Sequence, residues 1–238
     1  MNLTGIIKKE YSEVKEKQII IPKGNTELIE KLMSTYSRWQ KTIETYPDEP
    51  FAEMSYASAI KKIKKSKVEY TSEDITVFLS QIIKEISIEE TANSFIGGIF
   101  ISALINNHFT KTMQKETYLL LIEPKSVEID YLCYKNNGAE IVIYGDTGAF
   151  LCEEMQKGIV TVYGNADLCA GQYMKGGILK LKGANSDLGE YMTGGKIYLD
   201  EDYERFLAQG FEGNETTRFG GEIYCGGKRM FPKEMYPK

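Results

Sequence analysis

The sequence predicts an α+β, multidomain protein, in which an N-terminal helical bundle is followed by a short right-handed parallel β-helix with coils of about 19 residues. Three observations predict this fold class. Apolar residues in the first half recur at helical spacing, glycine-rich units in the second half recur at a fixed step, and each unit contains a short alternating apolar and polar stretch. We therefore expect a helical domain at residues 1–115 and a β-helix domain at 116–238.

The composition is that of an ordinary soluble globular protein. Of the 238 residues, 42% are hydrophobic and 26% are charged, and the net charge of −5 gives no reason to expect nucleic acid as a partner. The most apolar run, FIGGIFISALI at 95–105, is too short to cross a bilayer and is typical of a buried helix. The first residues lack the apolar core of a secretion signal. The sequence thus predicts a cytoplasmic protein with free cysteines and no membrane partner.

Four helices are expected in the first domain, at residues 25–46, 53–65, 71–86 and 87–107. Each places apolar side chains on one face, and Pro47 ends the first helix. The sequence SIEE at 87–90 fits a capping box that opens the fourth helix. That helix also carries small residues, which allow a neighbouring element to approach closely: Gly97, Gly98, Ser102 and Ala103.

The lysine run from Lys61 to Lys67 has two interpretations. It could be a contact patch for an anionic partner. It could equally be the solvated end of a helix, where lysine is favoured by the helix dipole.

After the helices, the sequence changes to strand character. The segments YLLLIE at 118–123 and VEIDYLC at 127–133 are both predicted strands, and the second alternates apolar and polar residues.

The C-terminal half is a repeat with a period near 19 residues. Glycines recur where each coil must turn sharply, and methionines recur where they would fill the axis near one corner. The predicted corner residues are Gly145, Gly158, Gly164, Gly171, Gly177, Gly183, Gly189 and Gly195, and the predicted ladder is Met155, Met174 and Met192.

Each coil contains a short strand, seen as IVI at 141–143, VTV at 160–162, LKL at 179–181 and IYL at 197–199. The first and third residues of each triplet are expected to point inward and stack on those of the neighbouring coils, and the middle residue is expected to point outward. The repeat resumes at GGEIYCGG, which puts Ile223 and Cys225 on the two inward ladders, after a helical excursion near 200–219. A β-helix needs its ends covered, so we expect the helical half to cover the first coil.

These coils carry a resemblance to a known domain. The stretch GNADLCAGQYMKGGILKLKGANSDLGEYMTGGKIYL, with a weaker coil at GDTGAFLCEEMQKG, resembles the GXGXG β-helix that occurs in the large chain of glutamate synthase and in one of the component chains of formylmethanofuran dehydrogenase. The resemblance covers about residues 138–199, or 127–227 with the flanking coils. It implies a domain that packs against catalytic domains or subunits, so it transfers no catalytic residue to this chain.

Few residues in the sequence suggest chemistry. The single histidine, His108, ends the fourth predicted helix and could be a ligand, a base, or a capping or surface residue. Cys152 stands beside Glu153 and Glu154, near Asp146; it could be an exposed reactive thiol or a small residue tolerated at a corner. The chain has no dinucleotide fingerprint and no phosphate loop. We therefore expect no cofactor, no metal and no catalytic residue.

The sequence thus favours a non-catalytic scaffold or accessory subunit that binds a protein partner. One alternative is a subunit of a glutamate synthase-like or formylmethanofuran dehydrogenase-like oxidoreductase, with a ligand between the helices and the first coil. Another is a self-assembling β-helix that dimerises side to side. Whether the chain has any catalytic activity stays open at this point.

Overall fold

The computed structural model describes residues 24–43, 50–86, 92–113, 116–122, 128–185, 187–200 and 218–231. It opens with four helices: α1 (Thr26–Gln40), α2 (Pro50–Ser66), α3 (Ser72–Ile86) and α4 (Ala92–Thr112). This confirms the four N-terminal helices expected from the apolar spacing.

The helix ends differ from the expected ones in ways that local chemistry explains. Asn25 caps α1 by accepting a hydrogen bond from the backbone N–H of Leu28 at 3.3 Å. The helix ends at Gln40, so its expected extension to residue 46 is wrong for residues 41–43, which form a turn. At α3, Thr71 and Asp74 form reciprocal capping bonds of 3.2 and 2.9 Å. The expected capping box at 87–90 and the stop at Pro47 lie outside the described residues.

Nine strands follow within the described residues, and most of them build one sheet. In chain order, β1 to β9 are Thr117–Leu121, Asn137–Tyr144, Lys157–Tyr163, Asn165–Ala166, Ile178–Leu181, Gly183–Ala184, Lys196–Leu199, Glu222–Cys225 and Lys228–Phe231. Strands β1, β2, β3, β5, β7 and β8 pair in parallel in that order, and β9 pairs antiparallel with β8 as a hairpin. The short β4 and β6 form a second, two-stranded parallel sheet.

The register confirms a parallel β-solenoid with coils of about 19 residues. Neighbouring strands align Ile141 with Val160, Val160 with Leu179, and Leu179 with Ile197. Ile223 and Cys225 continue the two inward ladders, as expected. The structure adds one strand that the repeat did not reveal, because Tyr118 of β1 aligns with Ile141 after a longer step. All of these ladder side chains are buried, which makes the inside of the solenoid apolar.

The segment VEIDYLC is not a strand, so that expectation is wrong for its described residues. Residues 130–135 form a turn segment with positive φ at Tyr131, Cys133 and Lys135. The same conformation recurs at 149–154, 168–173 and 187–191, where every second residue again has positive φ. Burial does not alternate along these segments, because two consecutive central residues are buried, as Leu132 and Cys133 are in the first segment and Leu151 and Cys152 in the second. These four turn segments close about four turns of the solenoid.

Helix α4 covers the first turn segment. Inner turn segments bond to the coil on either side; Cys152 N–H, for example, donates to the carbonyl of Leu132 at 2.9 Å. The first turn segment has helix α4 on its outer side instead. Ser102 donates its hydroxyl to the carbonyl of Tyr131 at 2.9 Å, and Asn106 donates to that of Tyr134 at 3.1 Å.

One helical turn earlier, on the same side of α4, Gly98 allows close packing because it has no side chain. A Cβ on Gly98 would lie 1.8 Å from the carbonyl oxygen of Asp130, so only glycine fits. Helix α3 packs against β1, where the Thr76 hydroxyl bonds to the Leu119 carbonyl. The helices therefore cover the first coil, as expected, and α4 packs directly on its turn segment.

One continuous apolar core runs from the helices into the solenoid. Its helical end is an aromatic cluster of Tyr36, Trp39, Phe78 and Phe100, in which ring centroids lie 5.1–6.2 Å apart. None of the described helices is long and apolar enough to cross a membrane. The run at 95–105 is a buried part of α4 instead, as its length indicated.

Candidate interaction surface

The outward side of the main sheet is an extended, regular surface of the solenoid. On each strand the residues between the buried ladder positions point outward and are half-buried or exposed. We call the outward side chains of β2, β3, β5 and β7 the outer face: Glu140, Val142, Tyr144, Ile159, Thr161, Tyr163, Ile178, Lys180, Lys196 and Tyr198. Aliphatic and tyrosine side chains predominate on this face, so it is more apolar than an ordinary solvated sheet surface.

Tyrosines on the outer face stack along the solenoid axis. Tyr144 and Tyr163 have ring centroids 5.0 Å apart and planes 14° apart, and Tyr198 stacks on Tyr224 of β8 at 5.0 Å and 12°. Stacked rings cover one another's faces and offer edges and hydroxyls to the outside. Such an arrangement suits contact with a protein surface, in which tyrosine is enriched, better than stacking on a flat ligand.

Charged groups flank the apolar centre of the outer face. Glu140 on β2 and Lys196 on β7 are both exposed, on opposite sides of Ile159 and Ile178. Lys196 also forms an ion pair of 2.5 Å with Glu222 of β8. The hydrogen bond from Lys196 lowers the pKa of the Glu222 carboxyl, so this pair keeps its charges at neutral pH.

The lysine run lies at the end of α2, where Lys61, Lys64, Lys65 and Lys67 are exposed or half-exposed. Lys67 has a φ of 53° and follows the last helical residue. Lys62 and Lys65 line one side of a cleft of about 670 Å³ against α1. The cleft also contains Glu27 and Glu30, so its lining has mixed charge and does not form a purely basic patch. This placement fits a solvated helix end better than an anion site.

His108 does not end its helix, so the expectation of a surface or capping residue is wrong. Helix α4 continues to Thr112, and His108 is only 8% exposed. Its Nδ1 lies 2.8 Å from the hydroxyl of Tyr118, a buried inward residue of β1. Burial lowers the pKa of His108, which keeps the imidazole neutral at neutral pH. The residue thus ties the helices to the first strand.

Cys152 is fully buried, so the interpretation as an exposed reactive thiol is wrong. It has a φ of 58° and lies one coil above Cys133, whose φ is 62°. Burial and the neighbouring thiol of Cys133 raise the pKa of Cys152, which disfavours the nucleophilic thiolate. Glu154 points elsewhere and pairs with Lys175 at 2.7 Å. Asp146 accepts the backbone N–H of Asn165 at 2.7 Å. The cluster is structural.

The expected glycine and methionine ladders lie next to each other. Gly158, Gly177 and Gly195 precede strands or lie at their starts and have φ values of 94°, 87° and 90°. A Cβ on Gly177 would lie 2.5 Å from Cε of Met155, and one on Gly195 would lie 2.6 Å from Cε of Met174. Each of these buried methionines therefore packs beneath a glycine of the following coil.

The remaining expected corner glycines divide into two groups. Gly171 and Gly189 occupy the centres of turn segments, with φ values of 72° and 64°, in the column of Cys133 and Cys152. The other three follow strands of the main sheet: Gly145 follows β2, Gly164 lies between β3 and β4, and Gly183 begins β6.

The sequence did contain a signal for the first coil, which was missed. Tyr131-Leu132-Cys133 precedes Phe150-Leu151-Cys152 by one repeat, and the two aromatic rings stack with centroids 4.6 Å apart. Matching these triplets would have placed residues 131–133 in a turn segment of the first coil instead of in a strand.

Among the described residues, no group of three His, Cys, Asp or Glu side chains is arranged to hold a metal ion. Comparisons with known protein families, with curated proteins and with solved structures found no match to this chain.

Proposed function

We propose that this protein is a non-catalytic scaffold or accessory subunit that mediates protein–protein assembly through the outer face. The observation that carries the proposal is the composition of that face. Aliphatic and tyrosine side chains remain half exposed there, on strands whose other sides are locked into the solenoid core. A surface on which aliphatic and tyrosine side chains predominate, with Glu140 and Lys196 at its sides and Lys180 within it, is of the kind found at interaction sites.

Rigidity supports the same role. Each inner strand bonds to a neighbour on both sides, and its inward residues are buried in the ladders. A partner that binds such a surface orders few side chains and no backbone, so little conformational entropy is lost on binding. Glycines and methionines at the corners hold the coils in register and leave the strand faces for contact.

A capture experiment tests this role. Full-length protein is used as bait in extract of its own host, next to Ile178→Glu on the outer face and Leu168→Glu in a turn segment. Leu168 is 43% exposed and provides a matched apolar-to-acidic control on another side of the coil. We expect Ile178→Glu alone to lose a bound protein. Equal capture by both variants, each folded by circular dichroism, would contradict a role for the outer face.

A second candidate is the accessory subunit of an oxidoreductase of the glutamate synthase or formylmethanofuran dehydrogenase type. The stacked glycine-rich coils that resemble the GXGXG domain favour it. This candidate implies a right-handed coil, since parallel crossover connections are almost always right-handed. It also implies that the helices form a separate domain. Recovery of a flavin-containing or iron–sulfur protein with the bait, seen by its visible absorbance, would select this candidate over a scaffold outside redox enzymes.

A further inference from the structure

We propose that the outer face binds a second copy of this chain, face to face, about a two-fold axis that runs parallel to the strands between β3 and β5. This inference rests on the proposed assembly function and names its partner. The strand order and the registers carry it, because they make the face complementary to itself.

The symmetry determines which strands meet. A two-fold axis along the strand direction keeps each residue at its level along the strands and reverses the strand order. With the axis between β3 and β5, strand β3 faces the second copy's β5, and β2 faces its β7. Ile159 and Ile178 are paired in register, so each would oppose the other across the interface. The apolar centre of the face would thus meet itself.

Charge follows the same symmetry. Glu140 aligns with Ile159, and Lys196 aligns with Ile178, so both charges share the level of the two isoleucines. The two-fold axis therefore places Glu140 opposite Lys196 of the partner subunit, and the reverse pair forms on the other side. On the next level, Val142 would oppose Tyr198 of the partner subunit, and Thr161 would oppose Lys180 of the partner subunit beside the axis. An apolar patch with opposite charges on its two sides is what an isologous dimer requires.

The size of the face sets the strength of the dimer. From β1 to β8, six strands spaced about 4.8 Å apart make a face about 24 Å wide, and a five-residue strand is about 17 Å long. The flat contact area is therefore about 400 Å². Stable interfaces bury about 800 Å² on each partner. We therefore expect a weak dimer that forms with rising protein concentration. Measurements must accordingly extend to protein concentrations on the order of several hundred micromolar.

A charge-swap experiment tests the pairing directly. Glu140→Lys places two lysine pairs in its own dimer, and Lys196→Glu places two glutamate pairs in its own. Each variant alone should self-associate at least about tenfold more weakly than the natural chain. When the two variants are mixed, a heterodimer has one opposite-charge pair on each side of the axis, provided that the registers are as described. The heterodimer should therefore form more tightly than the dimer of either variant alone. Sedimentation velocity with one variant fluorescently labelled measures all three affinities.

Controls separate this inference from folding and from the broader function. Lys196→Glu also loses its ion pair with Glu222, so the unfolding midpoint of each variant is measured in urea. If one swap fails to fold, Ile178→Glu, expected to abolish the dimer, replaces it, with Leu168→Glu expected to dimerise normally.

Two results would overturn the inference: a natural chain that stays monomeric at the highest concentration, or a mixture that associates no better than its components. The proposed function has a separate readout. If the chain is monomeric but Ile178→Glu still loses a captured protein, assembly through the outer face stands and the second copy is wrong.

Discussion

The close approach of α4 to the solenoid makes a sharp prediction at two adjacent glycines. Gly97 and Gly98 both lie inside α4, where alanine is favoured over glycine by about 1 kcal/mol. An alanine Cβ at position 97 would lie 2.9 Å from the Cγ2 methyl of Ile82 and 3.2 Å from the Cδ1 methyl of Ile86. An alanine at position 98 would meet the Asp130 carbonyl oxygen at 1.8 Å. Gly97→Ala is thus the matched control for Gly98→Ala.

The expected difference follows from what must move. These methyl groups can shift by a few tenths of an ångström, and the gain in helix propensity offsets part of that cost, so Gly97→Ala should stay within about 1 kcal/mol of the natural chain. A backbone carbonyl cannot rotate away, so in Gly98→Ala the helix must withdraw by roughly 1 Å or more to reach an ordinary contact. That shift breaks the bonds from Ser102 and Asn106 to the turn segment, at about 1–2 kcal/mol each for buried groups. After the gain in helix propensity of about 1 kcal/mol, Gly98→Ala should be about 1–3 kcal/mol less stable.

Urea unfolding followed by circular dichroism measures this difference. Both variants should unfold with the slope of the natural chain, and Gly98→Ala should show the lower midpoint. If Gly98→Ala proves as stable as Gly97→Ala, then α4 does not press against the first turn segment, and the account of how the solenoid is capped fails.

Three further predictions concern the corners, the histidine and the thiols. Gly195→Ala should lower the free energy of unfolding by about 1–3 kcal/mol, because Gly195 has positive φ and touches Met174; an unchanged urea midpoint would refute this. Because burial lowers the pKa of His108, the unfolded chain binds its proton more readily, so stability should fall as pH drops below about 6.5. His108→Gln should flatten that dependence, and NMR of the single imidazole should show a low pKa. Native protein should react slowly with a thiol reagent at a pH of about 8. Cys152 is buried, and burial together with Asp187 raises the pKa of the half-buried Cys169 to about 11. Rapid labelling of Cys152 would contradict its burial.

The parts of the fold that the sequence predicted are those that repeat or obey a simple period. Along each strand, buried ladder residues such as Ile141, Val160 and Leu179 alternate with outward residues, and the sequence alone shows that period of two. The turn segments were harder because their left-handed residues are mostly not glycine. Tyr131 and Phe150 both have positive φ, a conformation that side chains ordinarily disfavour. Hydrogen bonds to adjacent coils and aromatic stacking stabilise it here, and both depend on neighbours distant in the sequence.

The outer face could be predicted only in part for the same reason. Alternation assigned Val142 and Lys180 to the outside, as the structure has them. The alignment of Glu140 and Lys196 on opposite sides of two isoleucines depends on the register of four strands, which no single coil reveals. His108 shows the opposite case. His108 is buried because it packs against β1, and the apolar spacing of the helix does not reveal that contact.

Capping by α4 has a consequence for how this architecture can change in length. Helix α4 packs on the first turn segment and the start of β2, through residues such as Gly98, Ser102 and Asn106, and each inner coil bonds to the coils beside it. Whole coils are therefore interchangeable modules. Duplication of residues 158–176, one complete period, should lengthen the stack by one strand spacing and leave both ends in their original surroundings. Gene duplication or deliberate engineering could tune the reach of the molecule in discrete steps without redesign of its ends.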